Sequence, residues 1–209
     1  MLILVRHGRT PANEQGLLQG RLDQDLDAYG RRQAVAVADF IGETCAVDEV
    51  IASPLLRAQQ TAAAFGLQIE TDPEWMELSY GEYEGTPHGD VPAEVWQRWS
   101  ADPHFAPVGG ESLAALDARV RIACEALIER ATDRNLVVVS HVSPIKAAVG
   151  WALDVDLSVG IAFNSHLDQA SVCRIIFRAG RPLLQSFNEC ARGLPEQPEA
   201  DWLASIDGT

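Results

Sequence analysis

The sequence has few cysteines, and their spacing argues against a fold stabilised by disulfides and against one stabilised by zinc. The four cysteines lie far apart in the chain and form no Cys-x-x-Cys pair: Cys45, Cys124, Cys173 and Cys190. Structural zinc sites and disulfide frameworks usually place cysteines at short, regular spacings. We therefore expect reduced, partly buried thiols, no zinc site and a cytoplasmic location.

Long apolar runs and positive charge are also scarce. No segment approaches the ~20 apolar residues that a membrane-spanning helix needs, and the N-terminus lacks the basic and apolar regions of a signal peptide. The 209 residues contain 16 Lys and Arg against 30 Asp and Glu, a formal net charge of −14. So acidic a chain is poorly suited to nucleic acid or to an anionic membrane, and we expect neither as a partner.

The chain does contain strand-like and helix-like segments in alternation. This order predicts an α/β fold in which helices cover a mostly parallel sheet. No linker rich in Pro, Gly or Ser interrupts the chain, so we predict one domain over residues 1–192. Within it, residues 72–110 form a lid-like insertion, and residues 193–209 form a loosely ordered tail.

Apolar periodicity and capping residues place the individual elements. The predicted strands cover residues 2–6, 49–52, 67–71, 136–140, 170–177 and 183–187. The predicted helices cover residues 27–42, 53–65 and 93–100, a long segment that starts at residue 112, and residues 143–153. Ser53 and Pro54 are expected to cap and start the second helix.

The first strand ends at a group of residues that suits catalysis. Four apolar residues lead directly into Arg6, His7 and Gly8. In open α/β sheets, ligands bind beyond the carboxyl ends of the strands. An imidazole can act there as a nucleophile or a base, and a guanidinium can hold a phosphate or carboxylate through two hydrogen bonds.

Further polar residues follow other predicted strands. Asn13 lies in the loop after the first strand, Arg57 is near the start of a helix, and His141 separates a strand from the next helix. Taken singly, Asn13 could be a turn former, Arg57 a surface ion pair and His141 a structural histidine. Helix N-termini favour anions, so together with Arg6 and His7 these residues predict a phosphate pocket.

Glu77 is the candidate proton donor. It is flanked by apolar and aromatic residues that favour its partial burial: Trp75, Met76, Leu78 and Tyr80. Burial favours the protonated carboxyl, which can give its proton to a leaving alkoxide and later take one from water. Glu82 and Glu84 are competing candidates, but we expect them to be more exposed.

From residue 2 to residue 188 the chain resembles the histidine phosphatase superfamily, the phosphoglycerate-mutase-like proteins. The matching pieces occur in order and at similar spacing: Leu4–Thr10 with Asn13; Gln19 and Gly20 with Asp23; Ser53–Leu55 with Arg57; Glu77 with Gly81; Gly109–Ser112; and Val139–His141. The resemblance implies a three-layer αβα fold. It also implies a small phosphorylated metabolite as substrate, with no metal or organic cofactor.

The resemblance also implies a role for each matched residue. His7 would be the nucleophile that is transiently phosphorylated, and Glu77 would protonate the leaving group. Arg6, Arg57 and His141 would hold the phosphoryl oxygens, with His141 protonated in the complex. Asn13, Gln19 and the backbone of Gly20 would line the same pocket. Many members have Gly after the second histidine, whereas this chain has Val142, whose Cβ narrows the approach of the substrate.

The resemblance leaves phosphatase and mutase activity to be distinguished. Mutases of the superfamily carry extra basic residues after the catalytic Glu, but between Leu78 and Asp117 the only Lys or Arg is Arg98. We therefore predict a phosphomonoesterase, with Tyr80 and neighbouring aromatic residues as an apolar pocket wall. A phosphoglycerate-type mutase and a non-enzymatic binding protein are the alternatives. A homodimer is possible for such a fold.

Overall fold

A computed structural model describes residues 1–155 and 159–192 of the chain. The tail predicted at residues 193–209 lies outside the described residues. The strands are β1 (Leu2–Arg6), β2 (Glu49–Ala52), β3 (Ile69–Thr71), β4 (Leu136–Ser140), β5 (Val172–Arg178) and β6 (Arg181–Glu189). The α-helices are α1 (Pro11–Glu14), α2 (Ala28–Gly42), α3 (Leu56–Ala62), α4 (Ala93–Ala101), α5 (Leu113–Asp133), α6 (Val142–Ala152) and α7 (Val159–Asn164).

The six strands form one mixed sheet in the order β3-β2-β4-β1-β5-β6. The first four strands in that order are parallel, and β5 and β6 add an antiparallel hairpin at one edge. The strands with the longest runs of buried residues at their starts, β1 and β4, lie at the centre, where both faces of the sheet are covered.

Helices cover both faces of this sheet, which confirms the predicted three-layer arrangement. Leu2 and Leu4 of β1 pack against α5 and α6 on one face. Ile3 and Val5 point the other way and pack against α2 and α3. The alternation follows from the two-residue period of a strand. Among the described residues, no helix is long and apolar enough to cross a bilayer.

The second predicted helix starts later than expected. Its first residue is Leu56 rather than Pro54, and Ser53 makes no cap. A distant carboxylate takes over the capping role, because Asp23 Oδ1 accepts a hydrogen bond from the Leu56 amide at 2.6 Å. Ser53 is thereby left for another contact, which is described below.

Other boundaries differ by a few residues, and two short helices were not predicted. The third strand is shorter than expected, and α6 begins at Val142. Helices α1 and α7 have only four and six residues, too short for an apolar period to indicate them. The predicted insertion at 72–110 contains three short 3₁₀ turns and α4. Trp99 of α4 is buried among Tyr80, Tyr83, Trp96 and Phe105.

The loop that follows β1 touches the first turn of α2 through backbone atoms. A Cβ on Gly30 would lie 2.0 Å from the carbonyl oxygen of Arg9, and a Cβ on Gly8 would lie 2.4 Å from that of Gly30. Both are backbone carbonyls, which cannot move aside as the end of a flexible side chain can. These two glycines therefore set the distance between α2 and the loop that carries His7.

We expect Gly30→Ala to lower the free energy of unfolding by about 2–3 kcal/mol, the upper part of the usual range for overpacking. Gly42→Ala is the matched control, because it lies in the same helix and its Cβ would meet no atom within 4 Å. Urea unfolding of the two variants measures the difference. Equal stability of the two would contradict the proposed contact.

Candidate active site at the carboxyl ends of β1 and β4

The site forms where two neighbouring parallel strands end. Arg6 of β1 pairs in register with Ser140 of β4, so the residues that follow each strand emerge side by side. These residues are His7 and His141, whose ring centroids lie 5.1 Å apart. Two histidines 134 positions apart in the sequence thus meet at the carboxyl ends of neighbouring strands.

The backbone around His7 fixes the state of its ring. The His7 amide donates to the Ser140 carbonyl at 3.0 Å, and Nδ1 lies 2.7 Å from the Gly8 carbonyl oxygen. A carbonyl can only accept, so Nδ1 carries the proton and Nε2 carries a lone pair. Burial and the positive charges of Arg57 and Arg6 hold the pKa of His7 well below its usual 6.5. His7 is therefore neutral, with Nε2 available for attack.

Arg57 is almost completely buried beside His141. Its two terminal nitrogens donate to the carbonyls of Gly20 at 2.7 Å and Leu22 at 2.8 Å. Its Nε donates to His141 Nδ1 at 3.2 Å. Burial lowers the pKa of Arg57 to about 10, so the group remains a cation at neutral pH.

His141 forms hydrogen bonds through both ring nitrogens. Because Nδ1 accepts from Arg57, Nε2 carries the proton, and it lies 2.8 Å from Ser53 Oγ. Burial, together with the charge of Arg57, keeps the pKa of His141 well below 6.5. The ring is neutral here, and its contact with a phosphoryl oxygen in the complex stays a prediction.

Arg6 belongs to both the sheet and the site. Its amide donates to the Ser171 carbonyl at 3.0 Å, and its Nη1 donates to the Leu167 carbonyl. Its Nε is buried and has no hydrogen-bond partner among the described residues. Burial lowers the pKa of Arg6 to about 10. No carboxylate of the described residues forms an ion pair with Arg6 or Arg57.

Asn13 and Gln19 lie in the loop that leads away from His7. Asn13 closes the first turn of α1 in a reciprocal capping box with Thr10. Gln19 is buried, and its Oε1 accepts from Thr10 Oγ1 at 3.0 Å, while its Nε2 lacks a partner among the described residues. Gly20 has a left-handed φ of 53°, and a Cβ there would lie 2.5 Å from Glu84 Oε1.

Glu77 is buried next to the start of α6. Its Oε1 accepts from the amides of Leu78 at 2.8 Å and Ser143 at 3.2 Å. Both of these hydrogen bonds fall on the same carboxylate oxygen. The loop itself is held by Arg119, which donates to the carbonyls of Glu74, Met76 and Glu77. Arg119 is in turn oriented by Glu111 at 2.8 Å.

The competing carboxylates have other positions. Glu82 is exposed, as expected. Glu84 is half-buried, and its Oε1 accepts from the amides of Arg21 and Tyr80 and from Ser79 Oγ. Glu84 therefore ties two loops together.

Tyr80 and Val142 lie at the rim of the site. The Tyr80 hydroxyl is hydrogen-bonded to Ser143, and burial raises its pKa. The ring packs edge-on to Trp99 with centroids 5.7 Å apart, so it belongs to the buried aromatic cluster. Val142 is the half-buried first residue of α6. A contact of either residue with substrate stays a prediction.

Two serines were missed as members of the site by the sequence reasoning. Ser53 was predicted to cap a helix, but its hydroxyl is hydrogen-bonded to His141. Residue 143 was predicted only as the start of a helix, but the Ser143 amide donates to Glu77. The only available signal was their position, since each follows a predicted strand at the same edge as His7. The described residues contain no group of three His, Cys, Asp or Glu side chains that could hold a metal ion.

Comparison with known proteins supports the resemblance seen in the sequence. The chain is 34% identical over 178 residues to a bifunctional protein of Mycobacterium tuberculosis, which is 82% of this chain but only 48% of the relative. The chain thus spans about half the length of that relative. It is also 33% identical over 195 residues to phosphoserine phosphatase 1 of Hydrogenobacter thermophilus, covering 90% of this chain and 91% of the relative.

Solved structures and a family model agree with these relatives. The mycobacterial glucosyl-3-phosphoglycerate phosphatase in complex with VO3 superposes with a TM-score of 0.80 at 29% identity, over 90% of this chain and 98% of the other. The model of the histidine phosphatase superfamily (branch 1) matches residues 2–190. The chain therefore belongs to the histidine phosphatase superfamily.

Proposed function

We propose that this protein is a metal-independent phosphomonoesterase that hydrolyses a small-molecule monophosphate through a phosphohistidine at His7. The observation that carries the proposal is the fixed tautomer of His7. Its Nδ1 proton is committed to the Gly8 carbonyl, so Nε2 presents a lone pair. This nucleophile lies within the electrostatic influence of two guanidinium groups, the buried Arg57 and the half-buried Arg6, neither of which has a carboxylate ion-pair partner among the described residues.

The reaction proceeds in two steps that balance. First, Nε2 of His7 forms a bond to phosphorus, the bond to the alcohol oxygen breaks, and the Glu77 carboxyl gives its proton to that oxygen. Second, water attacks phosphorus, the bond to Nε2 breaks, and the Glu77 carboxylate takes the proton from water. Arg6 and Arg57 balance the charge on the phosphoryl oxygens, a task for which other enzymes use Mg²⁺.

The remaining site residues complete the phosphate pocket in this proposal. The Arg6 Nε and Gln19 Nε2 groups, both buried donors without a partner among the described residues, are available to an anion. A buried donor left unsatisfied costs about 1–3 kcal/mol, so an anion that bonds it is favoured. Asn13, the Gly20 backbone and His141 line the same pocket.

The relatives suggest the class of substrate. By their names, two of them act on phosphoserine and on glucosyl-3-phosphoglycerate. We infer a small phosphorylated metabolite for this chain as well.

A phosphoglycerate-type mutase is the second candidate. A probable phosphoglycerate mutase of Yersinia enterocolitica is 31% identical to the chain over 213 residues. Such a mutase needs positive charge for a second phosphate. The only Lys or Arg between residues 78 and 117 is Arg98, and it packs over the ring of Phe105 at 4.0 Å. The charge distribution therefore favours the phosphatase.

The nucleophile is tested by trapping the intermediate. With a labelled monophosphate and rapid quenching, we expect the wild type to retain an acid-labile phosphoryl group and to release free phosphate with EDTA present. His7→Ala should show no label and lose at least about 10³-fold in kcat, since it removes the covalent route. Label on the His7→Ala protein, or isomerisation of a phosphoglycerate without phosphate release, would contradict the phosphatase proposal.

Glu77 is tested through the leaving group. Glu77→Gln should slow phosphoryl transfer from an alkyl phosphate by about 10²–10⁴-fold, because an alkoxide needs a proton as it leaves. In this variant, the burst of nitrophenol released from p-nitrophenyl phosphate in the first turnover should persist, because this leaving group needs no proton. The exposed Glu82→Gln is the matched control. If Glu77→Gln slowed the release of nitrophenol as much as phosphoryl transfer from the alkyl phosphate, the role of Glu77 as a general acid would be ruled out.

The protonation states are tested by titration. Because the pKa values of His7 and His141 are lowered, both rings should stay neutral as the pH falls through 6.5, with His7 in its Nδ1–H form. Long-range ¹H–¹⁵N spectra at pH 6.0–8.0 report the protonation state of each ring. The ring signals are assigned with the variants His7→Asn and His141→Asn. Saturating phosphate should convert His141 to the cation. An imidazolium spectrum for His7 at pH 6.5 without phosphate would contradict the assignment.

A further inference from the structure

Arg119 is a half-buried cation in the second turn of α5, and the reaction described above does not use it. Its guanidinium donates to the carbonyls of Glu74, of Met76 at 2.8 Å and of Glu77 at 3.4 Å. All three carbonyls belong to one short segment, residues 74–77, which ends at the proposed acid. A single guanidinium therefore gathers the backbone that carries Glu77.

The central strand β4 holds the same segment from a second direction. The carbonyl of Trp75 accepts a hydrogen bond from Ser140 Oγ at 2.7 Å. All four carbonyls of residues 74–77 are thus bonded to side chains of neighbouring elements. The segment lies outside the six strands of the sheet, so these side chains satisfy the carbonyls that a neighbouring strand would otherwise satisfy.

Glu111 fixes the orientation of the Arg119 guanidinium. Its two carboxylate oxygens accept from Arg119 Nε at 2.8 Å and from Nη2 at 3.0 Å. Both side chains are only 14% exposed, so solvent screens the ion pair weakly. A two-point pair of this kind sets the plane of the guanidinium as well as its position. We call Arg119 and Glu111 the clamp.

The clamp joins the two ends of the insertion at residues 72–110. The insertion starts with the segment that carries Glu77 and ends directly before Glu111. The two ends also meet through their backbones, because the Glu111 amide donates to the Ser79 carbonyl at 2.9 Å. Both ends are therefore attached to α5 at the clamp.

Arg21 connects the clamp to the loop that lines the phosphate site. Its Nη2 donates to Glu111 at 3.2 Å, and its Nε donates to the Glu77 carbonyl at 3.3 Å. The preceding residue, Gly20, accepts a hydrogen bond from Arg57 at its carbonyl. Continuous hydrogen bonds thus run from the segment of the acid to a guanidinium of the phosphate site.

The Glu77 side chain is fixed at both ends. The clamp and Arg21 hold its carbonyl, and the amides of Leu78 and Ser143 hold its carboxyl. A general acid must lie within about 2.6–3.2 Å of the oxygen that it protonates. A displacement of about 1 Å can therefore cost about 10²-fold in rate.

We propose that Arg119 and Glu111 are positioning residues for the general acid, and that the clamp sets the distance between the Glu77 carboxyl and the leaving oxygen. The proposal rests on the proposed phosphatase function, in which Glu77 is that acid. It makes proton transfer to the leaving group, rather than phosphate binding, the step that depends on the clamp.

The test uses Arg119→Lys, which keeps the charge but replaces the planar fork by three donors on one atom. Single-turnover phosphoryl transfer is measured with p-nitrophenyl phosphate and with one alkyl phosphate. The alkyl phosphate is whichever of phosphoserine, glycerol 3-phosphate and n-propyl phosphate the wild type cleaves fastest. We expect alkyl transfer to slow by about 10- to 100-fold, while the nitrophenol burst stays within about twofold.

A double variant separates positioning of the acid from general support of the fold. In Glu77→Gln the acid is already absent, so adding Arg119→Lys should slow alkyl transfer by less than about twofold further. Arg130→Lys is the matched control, because Arg130 lies in the same helix and pairs with Glu49 at the start of β2. This control should retain both activities within about twofold.

Three results would overturn the clamp while the phosphatase stands. They are an equal loss on both substrates in Arg119→Lys, a further large loss in the double variant, and the same selective loss in Arg130→Lys.

Glu111→Gln keeps the test open if Arg119→Lys does not fold. It should slow alkyl transfer selectively by about three- to tenfold, the worth of one hydrogen bond. Wild-type alkyl transfer in this variant would also overturn the clamp. If Glu77→Gln itself showed no selective loss, the acid and the clamp would fall together. A wild type that forms no phosphohistidine with any of these substrates would remove the phosphatase proposal as well.

Discussion

The structure depends on two guanidinium groups, the buried Arg57 and the half-buried Arg6, with which no carboxylate of the described residues forms an ion pair. Burying a cation is costly, so its donors must be satisfied by other means. Backbone carbonyls serve this purpose: Leu167 for Arg6, and Gly20 and Leu22 for Arg57. The loops that supply these carbonyls are therefore held in place by the charge itself. Burial, together with these charges, lowers the pKa values of His7 and His141 and keeps both imidazoles neutral.

Much of the fold and the site was predictable because it depends on local patterns. The apolar runs of β1 and β4 end abruptly at Arg6 and His141, and parallel strands bring their carboxyl ends to one edge. The long amphipathic helices α2 and α5 are capped by Asp27 and Ser112 as their sequences suggest. The local sequence pattern was therefore enough to predict the central strands of the sheet and the residues that follow them.

The parts that were not predictable depend on contacts between distant residues. Local propensity puts the start of α3 at Ser53, but the carboxylate of Asp23 and the ring of His141 redistribute those hydrogen bonds. The loop at residues 166–171 has no apolar period, and within it Asp168 is hydrogen-bonded to Asn188, which lies 20 residues away in the sequence. A left-handed alanine at position 170 is unfavourable locally and is held by tertiary bonds alone.

Arg6 Nε and Gln19 Nε2, which have no hydrogen-bond partner among the described residues, have a consequence for the end of the proposed catalytic cycle. In that cycle they would bond a phosphoryl group whether or not an alcohol is still attached, so inorganic phosphate would occupy the same cage after hydrolysis. Only the alcohol would distinguish substrate from product, and it would leave first. Ambient phosphate would then compete directly with substrate, and departure of the anion from a positively charged cage would set an upper limit on turnover.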